Sequence, residues 1–301
     1  MLGSAALECG ANRNGTSKNK GGYAMKKMFQ NGCVGAIALA LAAASTSTVR
    51  ADFVTLNDGN TSVNFDTTSQ AGMYDWVVDG VDHMFQQAFW YRVGNQGGEL
   101  GVHTLTQTGI QATDTNFFDD PGLDVLNIRY QGNGFRVDIK YSLQGGSAGS
   151  GISDVGEQIK ITNTGETSLD FHFFQYNDYD LGGTILDNSI VINGGNTATQ
   201  TGDGATIGEV VVTPAPNQYA VGIYANQLAE LNDNAPTNLG AVTGPLGLGD
   251  LTWAFQWDVV IPVGGSFSIS KDKHISVPAP GAMLLGILGL GMARAAKRRL
   301  A

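Results

Sequence analysis

The chain has 301 residues, with 42 glycines, 8 prolines, 15% charged residues and a formal net charge of -10. Seventeen Lys plus Arg are too few for a basic nucleic-acid binder, and the glycine share excludes a coiled coil. The 42% hydrophobic and 9% aromatic residues supply a core that a disordered acidic tail lacks. The charge is partitioned. Residues 1–51 hold six cations and one acid, residues 278–301 hold four cations and no acid, and residues 52–277 hold 26 acids against seven cations, or -19. Basic ends around an acidic middle read as two addresses flanking the delivered protein.

Lys26-Lys27 precedes the apolar run Cys33 to Ala44, which leads through small residues to Val49-Arg50-Ala51. A basic start, a short apolar stretch and small residues before a cut form a secretory signal, with cleavage expected between Ala51 and Asp52. Met25 directly before Lys26 is the expected start, and residues 1–24 read as an upstream extension. Cys9 and Cys33 both fall in this region, so the mature chain is expected to carry no disulfide and no thiolate chemistry.

Along the middle segment, Trp76-Val77-Val78-Asp79-Gly80-Val81 places Asp-Gly between apolar residues, a hairpin signal. Phe135 to Leu143 alternates strictly and pairs with Leu126 to Tyr130 across Gln131-Gly132-Asn133-Gly134. Gly145 to Gly151 reads as a flexible loop. Gln158 to Thr162 and Leu169 to Phe174 flank Asn163-Thr164-Gly165-Glu166, a second expected hairpin. Strands follow at Ser189 to Ile192, Glu209 to Val212 and Ala220 to Tyr224, with one short helix near Gln227 to Asn232. Trp253, Phe255, Trp257, Val259 and Ile261 alternate, then Gly264-Gly265 precedes a returning strand at Phe267 and Ile269. Turns every 8 to 12 residues predict an all-β fold, a single-domain antiparallel β-sandwich over residues 52–275.

Candidate chemistry in this segment is sparse. Asn177, Asp178, Asp180 and Asp187 gather hard oxygen ligands in a polar turn, and Asp119, Asp120 and Asp124 do so around Pro121-Gly122. Asp178 and Asp180, next to Gly182-Gly183, are the better calcium candidates, although Asp-Pro-Gly is also ordinary turn chemistry. Trp90 and Tyr91, adjacent on a strand and hence opposed, could put one ring forward for glycan stacking. Trp253 and Trp257 share the parity of Phe255 and are expected in the core. No nucleophile elbow, phosphate loop or metal-ligand histidine spacing is present, and no carboxylate pair stands out for glycoside hydrolysis. The expectation is a non-enzymatic protein without catalytic residues.

The C-terminus reads Val277-Pro278-Ala279-Pro280, an apolar Gly281 to Ala293, then Arg294 and Lys297-Arg298-Arg299. This resembles the PEP-CTERM sorting signal of exported bacterial proteins, with Ala279 where that family usually has Glu. The resemblance implies an inner-membrane intermediate, cleavage near the Val-Pro box by an exosortase-type protease, and delivery to the outer envelope or extracellular matrix. Trp76 to Gly94 and Leu169 to Gly183 also look like segments of uncharacterised exported proteins of this kind. The layout has physical support: as a helix the apolar stretch reaches ~20 to 26 Å against a ~30 Å hydrocarbon core. The cations behind it would stay cytoplasmic. Residues 276–301 are therefore expected to be a sorting or anchoring segment with a single apolar helix. The function so implied is a structural or surface-interaction protein of the biofilm or exopolysaccharide matrix, exported through the translocon and without nucleic-acid partners. A glycan-binding sandwich module is the alternative, and a secreted glycoside-active enzyme the third reading.

Overall fold

The computed structural model describes residues 53–118 and 120–278, where period-two alternation produces eighteen strands and one α-helix. The first sheet begins with β1 (Phe53–Asp58), β2 (Thr61–Asp66), β3 (Gly72–Val78), β4 (Val81–Asp82), β5 (Gln86–Val93) and β6 (Leu100–Gly101). The chain then builds half of a second sheet with β7 (Thr106–Thr113), β8 (Val125–Gln131), β9 (Phe135–Gly145) and β10 (Ile152–Asn163). It returns to the first sheet for β11 (Leu169–Asp178) and to the second for β12 (Asp187–Asn193), β13 (Thr197–Gly202) and β14 (Ala205–Thr213). β15 (Gln218–Ile223), α1 (Asn226–Leu231), β16 (Leu246–Gly249), β17 (Leu251–Ile261) and β18 (Ser266–Ser276) complete it. The first sheet runs β1-β2-β3-β5-β11-β17-β15 with β4 and β6 at its side; the second runs β16-β12-β13-β14-β18-β10-β9-β8-β7. Pairing is antiparallel except for a short parallel contact between β3 and β5. The architecture is the expected sandwich of two antiparallel sheets.

Local chemistry accounts for several elements. Asp79 and Gly80 both take positive φ, 50° and 83°, as a two-residue hairpin turn of the primed kind requires, and they join β3 to β4. β8 and β9 pair in the anticipated register, Leu126 opposite Tyr141 and Tyr130 opposite Val137. Trp253, Phe255 and Trp257 are fully buried between the sheets, as their shared parity requires.

Two expected hairpins are corrected. The segment after Asn163 does not fold β11 back onto β10, and Gly264-Gly265 does not fold β18 back onto β17; each turn carries the chain from one sheet to the other. Alternation is satisfied in either arrangement, because both sheets point the same parity inward. Asn163 fastens the crossing. Asn163 Oδ1 accepts from the Gly165 amide at 2.9 Å, while its Nδ2 donates to the carbonyls of Thr167 and Ile261 at 2.8 and 2.9 Å, tying the second sheet to the first.

One feature of the core is charged. Lys271 and Lys273 on β18 share the inward parity of Ile269 and Ile275, and Glu157 on β10 shares that of Ile159 and Ile161. All three, with Glu209 on β14, are at most 2% exposed. Lys271 Nζ lies 2.5 Å from Glu157 and 3.4 Å from Glu209, and Lys273 pairs with Glu157 and donates to Gln87. Gln175 on β11 donates to Glu209 at 2.8 Å and accepts from Lys271. Trp253 Nε1 donates to Glu209 at 3.2 Å. Burial alone would raise the Glu157 carboxyl, but the two ammonium groups hold it well below the ordinary carboxylate range.

The predicted cleavage point, Ala51 and Asp52, and Ala279, Pro280, Arg294, Lys297, Arg298 and Arg299 lie outside the described residues. Val277 and Pro278 follow β18, and the Val277 amide donates to the Gly151 carbonyl at 2.7 Å. Among the described residues no helix is long and apolar enough to cross a membrane.

Removing one partner of a buried ion pair strands the other. Glu157→Gln, which takes the shared counterion from both lysines, is expected to cost about 3–5 kcal/mol in urea unfolding. A loss below about 1 kcal/mol would contradict this role for the charged layer.

Candidate functional site

The outer face of the first sheet carries Trp90, Phe174, Tyr176 and Arg92, but a segment spanning α1 and the residues after it lies across them. Leu231 and Leu228 pack on Ala88, Trp90, Phe174 and Tyr176, and Leu239 packs on Ala220 and Ala254. Arg92 and Glu99 form a buried ion pair, and Thr237 donates to Glu99 through its amide at 2.9 Å and its hydroxyl at 2.7 Å. Trp90 Nε1 donates to Asn232 at 3.2 Å and the ring is 1% exposed. Tyr91 points the other way, as adjacency requires, and stacks on Phe171 inside the sandwich. Neither ring of this pair is presented to a ligand, so the expected exposed aromatic is corrected: the segment after β15 covers it.

The second candidate, Asp178 and Asp180, is brought together at the end of β11. The fold adds Asp250, just ahead of β17, which sequence spacing could not connect, and one carboxylate oxygen from each lies within 4.8 Å of the others. Asp178 is 2% exposed; one oxygen accepts from Tyr176 Oη at 3.1 Å and Oδ1 has no partner. Burial first, then the charges of Asp250 and Asp180, push the Asp178 carboxyl up to about 8. Asp187, fully buried and accepting from the Leu251 amide at 3.1 Å, is raised to about 7, mainly by burial. Asn177 faces inward, away from this group. Crowded carboxylates of this kind offer the hard oxygens that calcium takes, and otherwise relieve their repulsion by holding protons. Asp120 and Asp124 serve as turn residues, as expected of the Asp-Pro-Gly stretch: Asp120 accepts from the Gly59 amide, and Asp124 accepts from Thr115 at 3.0 and 2.5 Å, while Asp119 lies outside the described residues.

A third feature was not anticipated. On the outer face of the second sheet, a trough of about 880 Å³ crosses β7, β8, β9, β10 and β18 and reaches Thr213 at the end of β14. Register sets its floor in rows. One row is Arg129, Asp138, Lys160 and Ser268; the next is Gln111, Asn127, Lys140, Gln158 and Ser270. Neighbouring strands set these groups ~4.8 Å apart. Asp138 accepts from Arg129 Nε at 2.6 Å and Arg136 Nε at 2.7 Å. Burial would raise its carboxyl, but these two hydrogen bonds bring it below the ordinary range. The signal was present in the strict alternation of β9, whose even positions Arg136, Asp138 and Lys140 form one face; what those residues meet on β8 and β10 was not.

The crowded carboxylates at the end of β11 make stability depend on pH. An unfolded Asp ionises near ~3.9, whereas Asp178 and Asp187 keep their protons to about 8 and about 7 in the fold. Between these values the unfolded chain binds fewer protons, so stability falls as pH rises from about 4 to about 8. Asp178→Asn is expected to flatten the dependence of the thermal midpoint over that range and to melt above the parent chain at the alkaline end. Parallel curves would contradict this assignment.

No protein-family profile and no curated protein matches the chain. Among solved structures, it is similar in fold to a bacterial glucoamylase complexed with acarbose, at 8% identity and a TM-score of 0.49 over 79% of this chain. The chain spans about a third of that protein's length, 34%. A galactose mutarotase-like protein from Lactobacillus casei aligns at 7% identity and a TM-score of 0.45, over 74% of this chain and 99% of its own. A polysaccharide lyase aligns at 13% identity and a TM-score of 0.42, over 73% of this chain and 33% of its own. These likenesses concern sheet arrangement and bring no activity with them. They do correct the expectation of a non-enzymatic protein: the proteins that share the arrangement include sugar-processing enzymes, so that expectation is withdrawn.

Proposed function

We propose that the protein is an exported, PEP-CTERM-sorted component of the cell surface or matrix whose sandwich binds a polysaccharide strand in the trough of the second sheet. The observation that carries this reading is the ordered floor of that trough. Side-chain amides of Gln111, Asn127 and Gln158 and hydroxyls of Ser268 and Ser270 line it at sheet register. Sugar hydroxyls both donate and accept, and an array of amides and hydroxyls answers both needs. A trough running across five neighbouring strands accommodates a polymer that continues past either end. Its volume is that of a ligand site. The sorting tail supports delivery to a place where such polymers are found.

Two experiments test the two halves of this reading. Retardation of the full-length chain in native gels cast with polysaccharides measures binding, and Asn127→Leu with Gln158→Leu is expected to weaken it about tenfold or more through lost hydrogen bonds. Absence of retardation by every polysaccharide would overturn the binding assignment. Mass spectrometry of the released protein is expected to show a start at Asp52 and an end near Val277 to Pro280. Recovery of an intact tail through Arg299 would overturn the sorting assignment.

A further inference from the structure

We infer that the polymer taken by this trough is an acidic polysaccharide, bearing carboxylate or sulfate groups along its length; the inference rests on the trough being the glycan site. Residues 52–277 contain seven cations against 26 acids. Three of the seven, Arg92, Lys271 and Lys273, are at most 3% exposed and are paired with glutamates. The other four, Arg129, Arg136, Lys140 and Lys160, all line the one trough. On a surface so rich in acids, gathering every accessible cation of the domain on three adjacent strands makes a positive region in an otherwise negative field.

These cations are also largely uncompensated. Asp138 is the acid among the trough residues, and it engages both arginines through Nε, leaving their terminal amino groups without a protein partner among the described residues. Neither Lys140 nor Lys160 makes a side-chain hydrogen bond or ion pair among the described residues. Lys140 stands between the neutral amides of Asn127 and Gln158, while Lys160 stands between the Asp138 carboxylate, already engaged by both arginines, and the Ser268 hydroxyl. That alternation matches a polymer with hydroxyls and spaced anions.

A nucleic acid fits less well. Duplex DNA presents one negative charge per ~1.7 Å of axis. Four cations tempered by Asp138 cannot answer that density, and Asp154 and Asp272 stand on the same outer face, further along β10 and β18. No Phe, Tyr or Trp lines the trough, so single-stranded bases have no platform on which to stack.

The test is affinity electrophoresis and calorimetry of the full-length chain with polygalacturonate, with neutral dextran and with DNA, at low and high salt. The expected result is tightest binding to polygalacturonate, weakened by salt, and reduced about tenfold by Lys140→Gln with Lys160→Gln. Neither lysine makes an ion pair among the described residues, so this double variant is expected to melt with the parent chain. Equal, salt-insensitive binding of dextran and polygalacturonate would overturn the acidic specificity while leaving the glycan site standing. Binding to neither polysaccharide would overturn both. Tighter binding of DNA, or unchanged polygalacturonate affinity in the double variant, would also overturn the inference.

Discussion

The two sheets are joined by hydrogen bonds from buried charged groups to neutral side chains as well as by apolar packing. Lys271 and Lys273 leave one sheet and meet Glu157 and Glu209 from the same sheet, with Gln87 and Gln175 of the opposite sheet closing the group. Such a layer tolerates little displacement, because a slip of one residue along β18 would put both ammonium groups on the outer face and Ser268, Ser270 and Asp272 inside. An apolar interior of the same volume could be as stable, so the layer is not needed for stability as such. Phe89, whose ring lies 5.0 Å from Lys271 Nζ, and Trp253, which donates to Glu209, link the charged layer to the aromatic core around it.

This use of cations in the interior shapes the surface. Two lysines hold the sandwich, and Arg92 fastens, through Glu99, the segment that covers the outer face of the first sheet. With three cations so committed, those remaining in the domain sit on the second sheet's outer face. The two outer faces are thus differentiated: one closed over Trp90 and Tyr176, the other open and polar, with its cations gathered in the trough. The crowded aspartates at the end of β11 add a third kind of surface, where burial and mutual repulsion favour the protonated carboxyls.

Much of the architecture was legible in the sequence because it rests on local rules. Alternation in β9 and β17, the Asp79-Gly80 turn and the parity of the tryptophans each follow from period-two geometry. Which sheet a strand joins was not legible, since Ile159 and Phe171 satisfy the core equally well on either side; the contacts of Asn163 fasten the crossing. The charged layer had left a signal, Lys271 and Lys273 at the parity of Ile269, but net charge counts every ionised group as surface. Of the candidate site residues, Asp178 and Asp180 are two apart in sequence, whereas Asp250 joins them only through the pairing of β11 with β17. The trough was invisible for the same reason: Arg129, Lys140 and Lys160 are separated by ordinary strands and turns, and only the registers of β8, β9 and β10 make them neighbours.

The partition of cations between interior and trough is the central claim, and amine-labelling mass spectrometry of the native full-length chain tests it most directly. Within residues 53–278, Lys140 and Lys160 should react readily and Lys271 and Lys273 should not, and saturating polygalacturonate should protect the first pair. Native labelling of Lys271 or Lys273, or full reactivity of Lys140 and Lys160 beneath bound polymer, would contradict the account.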